Sequence, residues 1–224
     1  MIYRSDYRYT DRETKSRYVW EKYRPLLQGR ILDVGADECH LKQYLDPQTK
    51  YWGIGLGGSP DQQVNLEQER IPFPDDSYDC VLCLDVLEHV ENIHDVFDEL
   101  CRVARRHVIV SLPSPYAQFF RLLRTGDYKP GEPLKFYGLP VERPPDRHKW
   151  FFSVEEAERF IRHRAEISGM RVGQIDLESV GHEGRGWRAW LRILGRELLL
   201  NPSVSRRNLY AGTLWAVLES RNDG

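Results

Sequence analysis

The chain has 224 residues, 41% of them hydrophobic and 29% charged, so one domain spanning 1–224 with a substantial core is expected. A net charge of −2 gives no reason to expect nucleic acid as a partner. No apolar run approaches the roughly 20 residues of a membrane-spanning helix, the N-terminal stretch lacks a signal-peptide apolar core, and four cysteines suit a reducing cytoplasm better than a disulfide framework.

Thr10-Asp-Arg-Glu13 has the capping-box form and predicts a helix through Trp20 and Tyr23, with Pro25 as a kink or break. This N-terminal helical segment, residues 1–28, is aromatic enough for a lid over a ligand, although plain packing on the sheet is the preferred reading. Ile31, Leu32 and Val34 form a short apolar run ending at Gly35, and Leu41, Tyr44 and Leu45 follow at helical spacing. That is strand, tight turn, helix, the opening unit of a nucleotide-binding α/β domain. Further strands are expected at Tyr51–Leu56, Gln63–Leu66, Tyr78–Leu84 and His107–Leu112. A helix capped by Asn92 or Asp95 is expected to run to about Ala104, and Arg171–Val180 and Asn208–Ser220 read as extended. Strands alternating with helices at these spacings imply an α/β fold with a doubly wound, mostly parallel sheet. Cys80-Val-Leu-Cys83 lies within the fourth strand, where side chains three apart point to opposite faces, so two buried core cysteines are expected rather than a metal pair.

Ligands of parallel sheets bind beyond the carboxyl ends of the strands. Those ends here are Asp33-Val-Gly35, Gly55-Leu56-Gly57, Asn65-Leu66-Glu67 and Leu84-Asp85-Val-Leu-Glu-His89, a set with acids and amides but no lysine or arginine. It suits a ligand bearing hydroxyls, an amine and a positive centre better than a polyphosphate.

With Ile31-Leu-Asp-Val-Gly35, the run Ile71-Pro-Phe-Pro-Asp-Asp-Ser-Tyr-Asp-Cys-Val-Leu-Cys-Leu-Asp-Val-Leu-Glu-His-Val90, and Val108-Ile-Val-Ser-Leu-Pro113, the chain resembles a class I S-adenosylmethionine-dependent methyltransferase of the small-molecule, type 11-like kind. Trp150-Phe-Phe-Ser153 before a helix and Ser168-Gly-Met170 before a strand resemble that family's later part. The resemblance implies a seven-stranded Rossmann-like sheet with the last strand antiparallel, and S-adenosylmethionine as cofactor with S-adenosylhomocysteine as product. By position it implies that Asp33 and Gly35 contact the methionine moiety, that Gly55 takes the ribose position, that Asn65 and Leu66 lie near the adenine, and that Ala36, Asp37 and Leu56 also belong to the cofactor site. Leu84 and Asp85 would border the sulfonium, with His89 just beyond. Two positions depart from the family: Gly55 replaces the ribose-binding acid, and Asp37 and Cys39 stand where glycines usually repeat. Asp37, Asp61 or Glu67 are candidate substitutes for the missing acid.

Two insertions, 114–149 and 182–207, follow strands that should end on the ligand side, so both are expected to roof the site. In the first, Tyr137 and Trp150 are candidate aromatic walls, and His148 with Asp146 is the candidate catalytic base. In the second, residues 185–200 read as a basic, tryptophan-bearing amphipathic helix, suited to packing on the domain, to a homodimer, or to peripheral membrane contact. The expected activity is methyl transfer to a hydroxyl of a small-molecule, glycan or lipid-linked acceptor. The alternative is a methyltransferase-fold scaffold without catalysis, and no metal site is read from the sequence.

Overall fold

The computed structural model describes residues 2–125, 137–139, 141–144, 146–179 and 205–221. The strands are β1 (Arg30–Val34), β2 (Lys50–Gly55), β3 (Gln62–Gln63), β4 (Tyr78–Leu84), β5 (Ala104–Pro113), β6 (Met170–Ser179) and β7 (Ala211–Ser220). They form one sheet in the order β3-β2-β1-β4-β5-β7-β6. Neighbours from β3 to β5 are parallel, and β7 runs antiparallel between β5 and β6.

Both faces of the sheet are covered, as parallel strands with continuous apolar runs require. On one face, α2 (Ile93–Val103) and α4 (Val154–Ile167) bury Val96, Phe97, Leu100 and Ile161 against Leu32, Val34, Val81 and Cys83. On the other, α1 (Arg12–Tyr23) buries Tyr18, Val19 and Tyr23 against Ile31, Cys80, Leu82 and Trp215. Cys80 and Cys83 thus fall in different clusters, both free and fully buried, as alternation along a strand demands.

Several expectations shift in detail. The cap of α1 is Asp11, which accepts from Thr14 N–H while the Thr14 side chain answers, so the box sits one residue later than Thr10–Glu13. Pro25 lies beyond the helix end and kinks nothing. The helix expected after β1 is only a 3₁₀ turn, His40–Tyr44, entered through left-handed Cys39. β3 spans two residues, and α2 hands over directly to β5 at Ala104. Asn92 precedes α2 but spends its amide on Leu66 C=O at 2.8 Å, tying the segment after β3 to this helix.

The insertion after β5 begins with a third helix, Pro115–Thr125, and its later residues 146–149 return to the sheet's carboxyl edge. The amphipathic helix read at 185–200 lies outside the described residues. No helix among the described residues is long and apolar enough to cross a membrane.

The N-terminal helix is held by buried cations. Lys22 Nζ is buried beneath the Tyr18, Tyr23 and Trp215 rings and bonds Asp176 Oδ2 at 2.6 Å. Burial lowers the Lys22 pKa, and Asp176 opposes that shift. The two partners are not equivalent, since the Asp176 side chain keeps about a third of its surface in water. Asp176→Ala should therefore cost about 3 kcal/mol by stranding a buried ammonium, whereas Lys22→Met should cost less than about 1 kcal/mol, because the ring-lined site accepts an apolar chain and Asp176 can hydrate. Urea denaturation of the two variants measures that asymmetry.

Gly35 has φ +82, and a Cβ there would lie 2.2 Å from Val86 Cγ2. The glycine is thus demanded by the turn after β4 as well as by any approaching ligand. Gly35→Ala should lose about 2–4 kcal/mol, left-handed strain and overpacking together, read from the same denaturation curves.

Candidate functional site

At the carboxyl end of the strands lies a cleft of about 1070 Å³. Asp33, Gly35, Ala36, Asp37, Gly55, Leu56, Asn65, Leu66, Leu84, Asp85 and His89 all line it, as do Asp146 and His148 from the returning insertion. The topology brings them together because β1, β2 and β4 are parallel neighbours whose connections all emerge on one edge.

The first loop explains the missing glycines. Asp37 and Cys39 both hold left-handed backbone, φ 51 and φ 54, the conformation for which glycine is ordinarily used. Asp37 C=O accepts from Ser59 N–H at 2.9 Å, which locks this loop to the one after β2. Gly53 is needed beneath it, since a Cβ there would meet Cys39 Sγ at 2.6 Å and Ala36 Cβ at 2.7 Å. At Gly55 there is room: its nearest neighbour would be Gly35 Cα at 3.4 Å.

The acids of the cleft are mostly partnered. Asp33 is buried and accepts from the Tyr51 hydroxyl at 2.8 Å; burial pushes its carboxyl up to about 6, with Tyr51 pulling the other way. Asp85, in left-handed conformation, binds Lys15 Nζ through one oxygen and accepts from Ser111 Oγ at 2.6 Å through the other. Burial would raise the Asp85 pKa, but Lys15 and Ser111 together bring it below the ordinary value. Its charge is therefore matched within the protein rather than left for a cationic ligand. Asn65 Oδ1 accepts from Glu67 N–H at 3.1 Å, leaving its second lone pair.

Of the three candidate substitutes for an acid at 55, Asp61 is turned away to Gly53 N–H at 2.8 Å and Lys42. Asp37 is paired with Arg12, and Glu67 with Lys149 and with Glu91 N–H. Arg12 and Lys15, with Ser16 and Val19, make α1 a wall of the cleft. The strand ends carry no lysine or arginine, but the assembled cleft does. Nothing local in α1 signals this; only its placement across the sheet reveals it.

The catalytic pair read from the sequence is also rearranged. The Asp146 carboxylate is turned to the other imidazole: its Oδ1 lies 2.7 Å from His89 Nδ1. His148 Nδ1 meets the Tyr137 hydroxyl at 2.9 Å, and the two imidazoles stack edge to face at 4.5 Å. His148 is buried, and that burial, reinforced by His89, takes its pKa down to about 4. Lys149 N–H donates to Glu88 C=O at 2.8 Å, which presses the 146–149 segment onto the turn after β4. Trp150 packs against the core and donates its indole N–H to Val90 C=O at 2.8 Å, while Tyr137 buttresses His148. Neither ring is among the described residues lining the cleft.

Glu88 is a cleft residue that sequence reasoning does not single out. It is fully buried yet lines the cleft, and burial with Asp85 nearby raises its carboxyl well above the ordinary range. Among the described residues, neither of its oxygens has a hydrogen-bond partner. An acid directly before His89 in an otherwise apolar run, Val86-Leu-Glu-His-Val90, is the one signal that could have found it.

Residues 49–112 match the family described as a methyltransferase domain. No curated protein matches the chain. Among solved structures, an S-adenosylmethionine-dependent methyltransferase from Archaeoglobus fulgidus superposes with TM-score 0.58 at 12% identity, covering 93% of this chain and 95% of that one. One from Clostridium acetobutylicum gives 0.55 at 10% identity, covering 94% and 92%. Magnesium protoporphyrin IX methyltransferase from Synechocystis, with S-adenosylhomocysteine bound, gives 0.51 at 17% identity, covering 93% and 83%. At such identities the structural likeness speaks for the fold alone. Residues 49–112 thus match a methyltransferase domain, and the chain as a whole has the fold of class I S-adenosylmethionine-dependent methyltransferases.

Proposed function

We propose that the cleft binds S-adenosylmethionine and transfers its methyl group to a hydroxyl of a small-molecule, glycan or lipid-linked acceptor. The observation that carries this reading is the convergence of the ends of β1, β2 and β4 on one large cleft, with buried Asp33 beside the glycine turn. Bound there, S-adenosylmethionine supplies an electrophilic methyl group and leaves as S-adenosylhomocysteine.

Asp33 and the Gly35–Asp37 turn hold the methionine end, with the carboxylate facing its ammonium. Asn65 and Leu66 flank the adenine. Gly55 leaves the ribose without a carboxylate partner from β2, so binding is weaker than with an acid there. The acceptor enters under the roof residues Arg143, Pro144 and Asp146 to Lys149, beside His148, whose ring stays neutral at ordinary pH. Asp146 acts through His89, fixing its ring rather than that of His148. Much of the rate then rests on positioning within a closed cleft.

Titration calorimetry with S-adenosylhomocysteine tests the reading, and saturable one-to-one heat is expected. Absence of heat at high micromolar ligand would favour a catalytically silent scaffold, the role that Gly55 would suit. Gly55→Asp should tighten binding by about 10- to 100-fold, because a charge-assisted bidentate contact is worth about 1.5–3 kcal/mol and the added Cβ has room. Unchanged or weaker binding would show that the ribose lies elsewhere.

Asp33 should also make that affinity pH-dependent. The ionised carboxylate attracts the ligand's ammonium, so affinity should hold above pH 7 and fall as pH drops through about 6, where Asp33 takes up a proton. In Asp33→Asn the same titration should be flat through this window and weak throughout.

A further inference from the structure

Glu88, His89 and His148 offer one carboxylate oxygen and two ring nitrogens, all within 4.8 Å of one another, at the acceptor end of the cleft. Glu88 Oε1 lies 3.7 Å from His89 Nε2 and 3.9 Å from His148 Nε2. We propose that these three groups form a binding site for a divalent first-row transition ion, with its open positions turned to the cleft to receive the acceptor's hydroxyl oxygen.

Three features argue for an ion rather than chance proximity. First, Glu88 is fully buried and, among the described residues, neither oxygen finds a hydrogen-bond donor. An interior carboxylate without donors is expensive, and a cation beside it supplies the missing partner. Second, both imidazoles carry outer contacts on the nitrogen that faces away from Glu88. Asp146 Oδ1 holds His89 Nδ1 at 2.7 Å, and the Tyr137 hydroxyl holds His148 Nδ1 at 2.9 Å. Each Nε2 in turn lies within 3.9 Å of the same carboxylate oxygen, and an outer contact on the opposite nitrogen is how ligating histidines are oriented and made more basic. Third, the spacing is close to what an ion needs. Tetrahedral bonds of about 2.1 Å separate ligand atoms by about 3.4 Å, so the edges to Glu88 require a contraction of roughly half an ångström or less, while the edge between the imidazoles, no longer than 4.8 Å, can require a larger one.

Two nitrogens and one oxygen favour Mn²⁺, Fe²⁺, Co²⁺ or Zn²⁺ over Ca²⁺, which prefers six or more oxygens. An ion with open positions can acidify a bound hydroxyl, whose proton then leaves to water, and the two histidines serve as ligands rather than as bases. The proposal deepens the methyl-transfer reading and rests on it for the identity of the acceptor atom, but ion binding itself is independent of the methyl donor.

The test uses the untagged full chain, stripped with chelator and titrated separately with Mn²⁺, followed by paramagnetic resonance, and with Co²⁺, followed by visible absorption. Saturable binding of one ion per chain is expected, with Co²⁺ showing the bands of a nitrogen-ligated site. Glu88→Gln should weaken it by at least about 100-fold, and Asp146→Asn by about 10- to 100-fold through the loss of His89 orientation. Asp146 is half exposed, so that variant carries the test even if Glu88→Gln does not fold. Equal affinity in the parent and both variants would mean adventitious surface histidines and would overturn the proposal, as would no saturable binding at millimolar ion. S-adenosylhomocysteine calorimetry on the same samples separates the two readings. Donor binding without ion binding sinks only this inference, and ion binding without donor binding sinks only the methyl-transfer reading.

Discussion

One row of the sheet holds the N-terminal helix in place. Ser111, Trp215 and Asp176 are cross-strand neighbours on β5, β7 and β6. Lys15 and Lys22, two turns apart on α1, reach down to the two ends of that row, and their ammoniums sit 5.0 Å and 5.1 Å from the Trp215 ring between them. Neither cation is tolerable in an apolar layer without a carboxylate. Asp85 serves Lys15 and Asp176 serves Lys22. The helix is thereby fixed in position and not merely packed, and the cleft gains a wall.

That wall alters the electrostatics of the site. Nearly every acid at the mouth has a partner in the fold: Asp85 with Lys15, Asp37 with Arg12, Glu67 with Lys149, Asp33 with Tyr51, and Asp146 with His89. Glu88 stands apart, buried and without a donor among the described residues. The site balances its other acids within the fold and leaves one buried carboxyl, held neutral by burial, beside two imidazoles. The backbone is strained in the same region. Asp37, Cys39 and Asp85 all hold left-handed conformations at the strand ends, each at a cost of about 1–2 kcal/mol. Packing between the loops maintains them: Asp37 is clasped by the loop after β2, and Gly35 yields its Cβ space to Val86.

The sequence by itself determined the strands, most of the helices and the edge of the sheet at which the cleft opens. Period-two burial and apolar runs are local signals, and β4 at Tyr78–Leu84 is read to the residue. Since parallel strands place all their carboxyl ends together, the residues ending β1, β2 and β4 could be assigned to one cleft before any contact was known. Tertiary structure alone decided the partners. Asp146 and His148 look like a pair because they are two residues apart, yet Asp146 lies on His89, which is 57 positions away. The strand ends are free of lysine and arginine because the basic residues lie elsewhere in the chain: the docking of α1 brings Arg12 and Lys15 across, and the returning insertion brings Arg143, Arg147 and Lys149. Hydrogen bonds and ion pairs between distant segments leave no periodicity in sequence; they follow from how the layers stack, and so it is the fold that chooses which charges meet.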